Sequence, residues 1–230
     1  MPRTARKTPP GYVYHVLNRG VGGMRLFSTP ADYAAFETIL AETLQTINLR
    51  ICAYCVMPNH WHFVVWPQRT DDVAEFFQRL TVTHATRWQR TRQRVGLGHV
   101  YQGRFKAFPV ESDEHFYDLV RYVERNPLRA QLVDDAAHWR WSSLWIREHG
   151  SDAQRNCLSG WPAPEPMDWR SLVNQPQTET ELVALRNCVH RGAPFGNANW
   201  VSTTAAELGI ESTLRSRGRP RSKKGDRSIF

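Results

Sequence analysis

Hydrophobic and polar positions along the first half of the chain follow two different periods. Residues 11–18, 49–57 and 60–66 have the β-branched and aromatic composition of strands, and a Pro-Asn turn joins the last two, which predicts an antiparallel hairpin. Between the first two strands, apolar residues recur at helical spacing after Thr29, a candidate N-cap followed by proline. The chain is therefore expected to begin with the order β-α-β-β.

The pattern continues with a second helix that begins at Asp71-Asp72, where acidic residues favour a helix N-terminus. A fourth strand is predicted from Arg104 to Val110, and a third helix from Ser112 to about Arg125, where an Asn-Pro pair ends it. The order β-α-β-β-α-β-α predicts an α+β fold of the ferredoxin-like, split βαβ type, with a four-stranded antiparallel sheet and helices on one face. The other face is expected to stay open and to be available to a functional site.

The last third of the chain has a different composition, which predicts a C-terminal helical and disordered basic extension after a domain of residues 8–150. Residues 151–178 are rich in Pro, Ser, Gly and Gln and are expected to form a loop-rich linker. Two short helical patterns within 179–212 make a candidate DNA-binding segment, and residues 213–230 form a basic tail.

The charge balance indicates a polyanionic partner. The 230 residues include 30 Lys and Arg against 22 Asp and Glu, a net charge of +8, which is typical of nucleic-acid-binding proteins. The candidate phosphate-contacting residues lie in a glycine-rich loop, on the second helix, on the fourth strand and in the tail: Arg19, Arg87, Arg90, Arg92, Arg94, Arg104, Lys106, Arg217, Arg219 and Arg221. Solvated faces and a plain connector are the alternatives for these groups.

The tail contains the run Arg217-Gly218-Arg219-Pro220-Arg221, which resembles an AT-hook. Such an extended basic segment lies in a narrow minor groove, where arginines meet an enhanced negative potential. The alternative is a disordered cationic tail that adds nonspecific affinity for DNA.

The sequence argues against a membrane or secreted protein. No apolar run approaches the roughly 18 residues that a spanning helix needs, and the basic N-terminus lacks the apolar stretch of a secretory signal. We therefore expect a cytoplasmic protein without a membrane partner, in which the 4 cysteines are free thiols.

Candidate chemistry begins with His60-Trp61-His62. Side chains alternate faces along a strand, so the two histidines are expected to point to the same side. Neutral imidazole is a common ligand of divalent metals, which makes the pair a candidate metal site. The alternative is a pair of polar residues that is solvated or satisfied within the core.

Tyr122 and Asn126 lie four residues apart on the third helix and should share one face. A tyrosine and an amide oxygen brought to a His-x-His metal would form a phosphoryl-transfer centre, in which the deprotonated phenol is a covalent nucleophile. Taken alone, the two residues are better explained by structural roles: Tyr122 closing the core and Asn126 ending a helix.

Three motifs together resemble the HUH single-tyrosine transposases, and most of all the REP-associated tyrosine transposases. They are MPNHWHF at 57–63, YQGRFK at 101–106 and RYVERNPLRA at 121–130. The resemblance covers roughly residues 8–150 and implies a ferredoxin-like nuclease that acts on single-stranded DNA with hairpin repeats.

The resemblance also implies roles for individual residues. His60 and His62 would bind Mg²⁺ or Mn²⁺, and Asn126 falls where the family places a third polar ligand. Tyr122 would be the catalytic nucleophile, leaving a 5′-phosphotyrosine and a free 3′-hydroxyl. This set of donors would also accept zinc.

The sequence is therefore interpreted as a metal-dependent DNA endonuclease and strand transferase that works as a monomer or homodimer. Tyr101 and Trp66 are candidates for stacking on unpaired bases. The main alternative is a domesticated, non-catalytic DNA-binding regulator on the same fold. A hydrolase that activates water is another, and an RNA-binding domain is a third, although it would carry exposed aromatic pairs on its central strands.

Overall fold

The computed structural model describes residues 8–215. Arg217, Arg219 and Arg221, and with them the AT-hook prediction, lie outside the described residues. Within residues 8–215, no helix has both the length and the apolar character needed to cross a membrane.

The predicted sheet is confirmed. Four strands pair in the order β2-β3-β1-β4, and every neighbouring pair is antiparallel. Their bounds are β1 Val13–Arg19, β2 Arg50–Met57, β3 His60–Trp66 and β4 Lys106–Val110. This order is that of a split βαβ fold, because the connection between β1 and β2 and that between β3 and β4 each cross one intervening strand.

Two helices cover the first face of the sheet: α1 Pro30–Leu44 and α2 Asp72–Thr91. Helix α1 begins where the sequence predicts, since the Thr29 side chain accepts a hydrogen bond from the Asp32 backbone and Pro30 opens the helix. Aromatic residues dominate the core beneath these helices, and the rings of Trp61 and Phe77 stack at 5.4 Å. This face carries no part of the predicted catalytic set.

The second face of the sheet is also covered, so the expectation of an open face is wrong. Helix α3, Glu114–Glu124, packs there, with Phe116, Leu119 and Val123 buried against Val64 and Phe108. The physical reason lies in the strands themselves: their second face is apolar as well, and leaving it in water would forfeit about 25 cal/mol for each Å² exposed. His60 and His62 therefore lie under a helix rather than on an open surface.

The fourth strand is shorter than predicted. It begins at Lys106, so Arg104 precedes it and does not share a strand face with Lys106. The chain leaves the ladder here because other contacts hold it: the Gln102 amide donates to the Arg19 carbonyl, and the Asn18 side chain donates to the Gly103 carbonyl. Arg104 instead lines a groove of about 840 Å³ between α2 and residues 99–105.

Within residues 8–215, six further α-helices follow α3. They are α4 Asn126–Arg129, α5 Ser143–His149, α6 Asp152–Arg155, α7 Trp169–Asn174, α8 Glu179–Arg191 and α9 Ala198–Leu208. Helices α4 and α7 lie against α3, and α8 lies against both β4 and α3. Residues 151–178, predicted to be a linker, thus include two helices. Trp169 and Val173 of this segment are buried in the second core, the apolar cluster on the side of the sheet that α3 covers.

The segment between α8 and α9 pairs with the outer edge of β4. The Phe195 amide donates to the Pro109 carbonyl, and the Glu111 amide donates to the Phe195 carbonyl. Gly196 makes the close approach feasible, because a Cβ at that position would lie 2.6 Å from both Glu111 and Trp200. This pairing covers the edge strand next to the second face.

A buried carboxylate anchors the end of α3. Glu124 is fully buried, and its side chain accepts hydrogen bonds from Arg147 at 2.6 Å, Trp169 Nε1 at 2.7 Å and Ser143. Arg147 also donates to the Cys52 carbonyl in β2. The network therefore joins α3 to α5, α7 and the sheet, two residues away from Tyr122.

We expect Arg147→Met to lower the free energy of unfolding by about 3–5 kcal/mol, because it leaves the Glu124 carboxylate buried without its cation. Urea unfolding followed by tryptophan fluorescence measures this. Arg155→Met is the matched control: it removes an exposed ion pair with Asp152, and its effect should stay within about 1 kcal/mol. Equal, small losses in both variants would contradict the anchoring role of Glu124.

Candidate active site

The two histidines of β3 lie side by side under α3. Their ring centroids are 4.9 Å apart, with the rings nearly perpendicular. His62 is 3% exposed, whereas His60 is only partly buried and is bonded through Nδ1 to the Asn59 side chain at 2.6 Å. In the strand register, His60 stands opposite Arg19 and His62 opposite Leu17. The pair thus spans the edge of the second core, with His60 nearer to solvent.

A third histidine completes the group. His15 of β1 is fully buried, and its Nε2 lies 2.9 Å from Nδ1 of His62, with the two rings stacked at 5.0 Å. Because His15 holds Nδ1 of His62, Nε2 is the nitrogen of His62 left to bind a metal. Sequence reasoning assigned His15 no role, although a polar residue in an otherwise apolar strand was a signal that could have found it.

All three imidazoles are neutral at neutral pH. Burial lowers the pKa of His15 to about 3 and, together with the positive charges of Arg19 and Arg129, the pKa of His60 to about 4. The pKa of His62 is also held well below its usual value, mainly by burial. A neutral imidazole keeps a lone pair, which is the form that binds metal ions.

Helix α3 brings Tyr122 to this group. Its ring centroid lies 6.0 Å from that of His62 and 6.4 Å from that of His15, and the side chain is 7% exposed. Tyr122 meets the histidines because the last turn of α3 packs against strands β1 and β3. No short sequence motif predicts this contact. The hydrogen bonds of Glu124 hold the end of α3 in place.

Asn126 lies one turn beyond Tyr122, at the start of α4, where Pro127 interrupts the helix. It is 6% exposed, and its Nδ2 has no hydrogen-bond partner among the described residues. An unsatisfied buried N–H donor costs about 1–3 kcal/mol, which an acceptor such as a phosphate oxygen would relieve, while the amide oxygen is the atom that could bind a metal. Two imidazoles and an amide oxygen form a donor set that fits a divalent cation, with Mn²⁺ or Zn²⁺ suited better than Mg²⁺, which prefers oxygen ligands.

A second group of ligand-type side chains lies at the β4 edge. Glu111, Asp113 and His115 have donor atoms within 4.8 Å of one another. However, both Glu111 oxygens accept hydrogen bonds from Asn197, and Asp113 accepts from the backbone of His115 at the start of α3. These bonds give the group a structural role in docking α9, and it does not include the predicted nucleophile.

The predicted DNA contacts fall in different places. Arg19 stands opposite His60, and Lys106 stands opposite Leu17 on the same face, so both border the histidine group. Lys106 also donates to the Val189 carbonyl of α8 at 3.4 Å. These two cations are the predicted contacts nearest to the candidate nucleophile.

The arginines of α2 lie across the sheet from the histidines. Arg87 pairs with Glu42 at 2.7 Å, and Arg92 pairs with Asp32 at 2.8 Å while covering the Trp88 ring. Two of the four predicted contacts in this segment, Arg87 and Arg92, therefore tie the end of α2 to α1. Arg90 and Arg94 form no ion pair with another described residue and remain exposed.

Of the two aromatic residues predicted to stack on bases, Tyr101 is unavailable. It is 7% exposed; its hydroxyl accepts a hydrogen bond from Trp61 and lies 2.7 Å from Nδ1 of His84. Tyr101 belongs to the first core, the aromatic cluster between the sheet and helices α1 and α2. Trp66 is partly exposed, and the Arg50 guanidinium covers its ring at 4.9 Å.

Comparison with known proteins assigns the family. The model of the family described as "Transposase IS200 like" matches residues 11–126, from the start of β1 to the candidate ligand Asn126. This chain belongs to that family. The match contains His15, His60, His62 and Tyr122, so it includes the four side chains that meet under α3.

Two further similarities are more distant. A Haemophilus influenzae protein named as a REP-associated tyrosine transposase is 20% identical over 117 residues, which cover 47% of this chain and 66% of that protein. A solved REP-associated tyrosine transposase bound to a REP hairpin has 17% identity and a TM-score of 0.53, over 73% of this chain and 94% of that one. The structural similarity supports the α+β fold with its four-stranded antiparallel sheet.

If His62 is a metal ligand, we expect His15→Phe to weaken the binding of Mn²⁺ about 10–100-fold, because His62 would lose the partner that orients its ring. Isothermal titration calorimetry measures the affinity, and circular dichroism verifies folding. His84→Phe is the matched control: this buried histidine lies on the other face of the sheet, and its loss should leave Mn²⁺ affinity unchanged. Equal affinities in the wild type and His15→Phe would contradict an orienting role for His15.

Proposed function

We propose that this chain is a metal-dependent single-stranded DNA endonuclease and strand transferase with Tyr122 as its nucleophile. The observation that carries the proposal is the position of the Tyr122 ring, 6.0 Å from the ring of His62, which in turn lies 4.9 Å from the ring of His60. Within residues 8–215, neither His60 nor His62 pairs with a carboxylate, so both imidazoles stay neutral and able to bind a metal. Family membership supports the same reaction class.

In the proposed reaction, the Tyr122 hydroxyl oxygen attacks the phosphorus of a DNA phosphodiester. The bond from phosphorus to the 3′-oxygen breaks, and the downstream fragment of the strand becomes joined to Tyr122 through its 5′-phosphate. Overall, the phenolic proton is replaced by phosphorus, and the departing 3′-oxygen acquires a proton. One phosphate ester replaces another, so attack by a 3′-hydroxyl on the phosphotyrosine can rejoin a strand without an external energy source.

His60, His62 and Asn126 are the proposed ligands of a divalent cation. When bound, it would polarise a phosphate oxygen and offset the charge of the transition state. His15 orients His62, and the anchored end of α3 fixes the direction from which Tyr122 approaches. Holding a nucleophile in an attack geometry is itself worth several orders of magnitude in rate.

The proposed substrate is single-stranded DNA next to a hairpin, and the named structural relative is bound to a REP hairpin. Arg19 and Lys106 border the candidate site and are the proposed contacts for the strand near the scissile phosphate. Arg90 and Arg94 lie on the far side of the sheet and would contact a duplex stem only if the DNA extends around the domain. Residues 179–212 are a proposed additional contact surface, and a monomer or a homodimer is compatible with this arrangement.

Tyr122→Phe should abolish formation of a covalent protein–DNA adduct, because it removes the attacking oxygen. The assay incubates the protein with hairpin-bearing single-stranded DNA and Mn²⁺ or Mg²⁺ and resolves the products on a denaturing gel. His60→Ala should also eliminate the adduct. Tyr117→Phe, on the same helix with its hydroxyl bonded to the Pro164 carbonyl, should retain it and is the matched control.

Two results would contradict this function. Cleavage without an adduct that persists in Tyr122→Phe would indicate a hydrolase that activates water. Retention of DNA on a native gel without cleavage, for every hairpin tried, would instead favour a non-catalytic DNA-binding regulator.

A further inference from the structure

Arg129 occupies an unusual position next to the candidate nucleophile. It belongs to α4, just beyond the segment matched by the family model, and its guanidinium covers the Tyr122 ring with Cζ 4.3 Å from the ring centroid. Its positive charge also contributes to lowering the pKa of both His60 and His62. The charge of Arg129 thus acts on all three functional candidates.

No carboxylate balances this guanidinium. Within residues 8–215, Arg129 forms no ion pair, and its Nη1 is buried without a hydrogen-bond partner. Arg129 as a whole is partly buried, but a buried donor without a partner, such as its Nη1, costs about 1–3 kcal/mol. Burial lowers the pKa of Arg129, and the nearby charges of Arg186 and Arg125 act in the same direction. The protein therefore stores unsatisfied positive charge at this point.

The neighbouring arginines differ from Arg129 in this respect. Arg125 donates to the carbonyls of Val173 and Asn174 and thereby caps α7. Arg186 pairs with Glu179 at 3.3 Å on the exposed side of α8. Arg125 and Arg186 bond to oxygen atoms, whereas Arg129, within residues 8–215, stacks on the Tyr122 ring and pairs with no carboxylate, so the roles of the other two do not explain its charge. An anionic ligand would explain it.

We propose that Arg129 binds the non-bridging oxygens of the phosphate that Tyr122 attacks and stays bound to the phosphotyrosine. This inference rests on the proposed function. A guanidinium fits a phosphate with two parallel hydrogen bonds, and stacking on the Tyr122 ring fixes the plane of the fork next to the hydroxyl that becomes esterified. The interaction strengthens as negative charge builds on the phosphate oxygens, which makes Arg129 a catalytic residue as well as a binding one.

The first test measures binding without chemistry. In a Tyr122→Phe background, the affinity for fluorescein-labelled single-stranded DNA with a hairpin is measured by anisotropy over a range of salt concentrations. Adding Arg129→Met should reduce the slope of log affinity against log salt by about 1, because one phosphate contact is lost. Adding Arg129→Lys should restore the slope, since the charge is retained. An unchanged slope with Arg129→Met would overturn the proposal.

The second test separates a phosphate contact from simple packing. With Tyr122 present, Arg129→Met and Arg129→Lys should both slow adduct formation about 10²–10³-fold, because lysine lacks the planar fork. Arg186→Met, which changes a neighbouring paired charge, should slow it only a few fold. Arg129→Met should not lower thermal stability, since no partner is left unpaired. A fall in stability together with an unchanged rate would overturn the proposal.

The salt slope does not depend on cleavage, so the two proposals fail separately. If the wild type forms no adduct but Arg129→Met still lowers the slope, Arg129 binds phosphate and the proposed chemistry is wrong. If adducts form normally in Arg129→Met, the chemistry stands and the role of Arg129 is wrong.

Discussion

The candidate site depends on the burial of the end of α3 against the second face of the sheet. Glu124 is held by Arg147 and Ser143 of α5 and by Trp169 of α7. That network fixes the last turn of α3, and Tyr122 on this turn consequently lies over His62. A buried ion pair contributes little net stability, because desolvation offsets the Coulomb attraction. Here it positions one helix end relative to a strand 60 residues earlier in the chain.

Burial also determines the electrostatics of the site. The same packing that covers the sheet removes water from His15 and His62, so their imidazoles stay neutral and His15 can hold His62 by one nitrogen. Arg129 is brought under the same cover without a carboxylate. Neutral nitrogen donors next to an unbalanced cation form an environment suited to a metal ion together with a phosphate. A protein core or surface without a ligand has no need for neutral imidazoles beside an unbalanced guanidinium.

Local pattern was sufficient to predict most of the elements from the sequence. Period-two and helical spacing gave the four strands and α1, α2 and α3, and alternation along β3 placed His60 and His62 on one face. The coverage of that face could not be predicted in this way, because it depends on where α3 docks. His15 and Arg129 were missed for the same reason, since their significance arises from contacts with His62 and Tyr122 across the fold. The late start of β4 at Lys106 reflects hydrogen bonds from Asn18 and Gln102, which are equally non-local.

The most direct test of the account is a crystal structure of the Tyr122→Phe protein with hairpin-bearing single-stranded DNA and Mn²⁺, with the metal located by its anomalous scattering. The account predicts one strong peak bonded to His60 and His62, with a DNA phosphate between it and residue 122. A peak only at Glu111, Asp113 and His115, or DNA bound along α2 with the histidines empty, would contradict it.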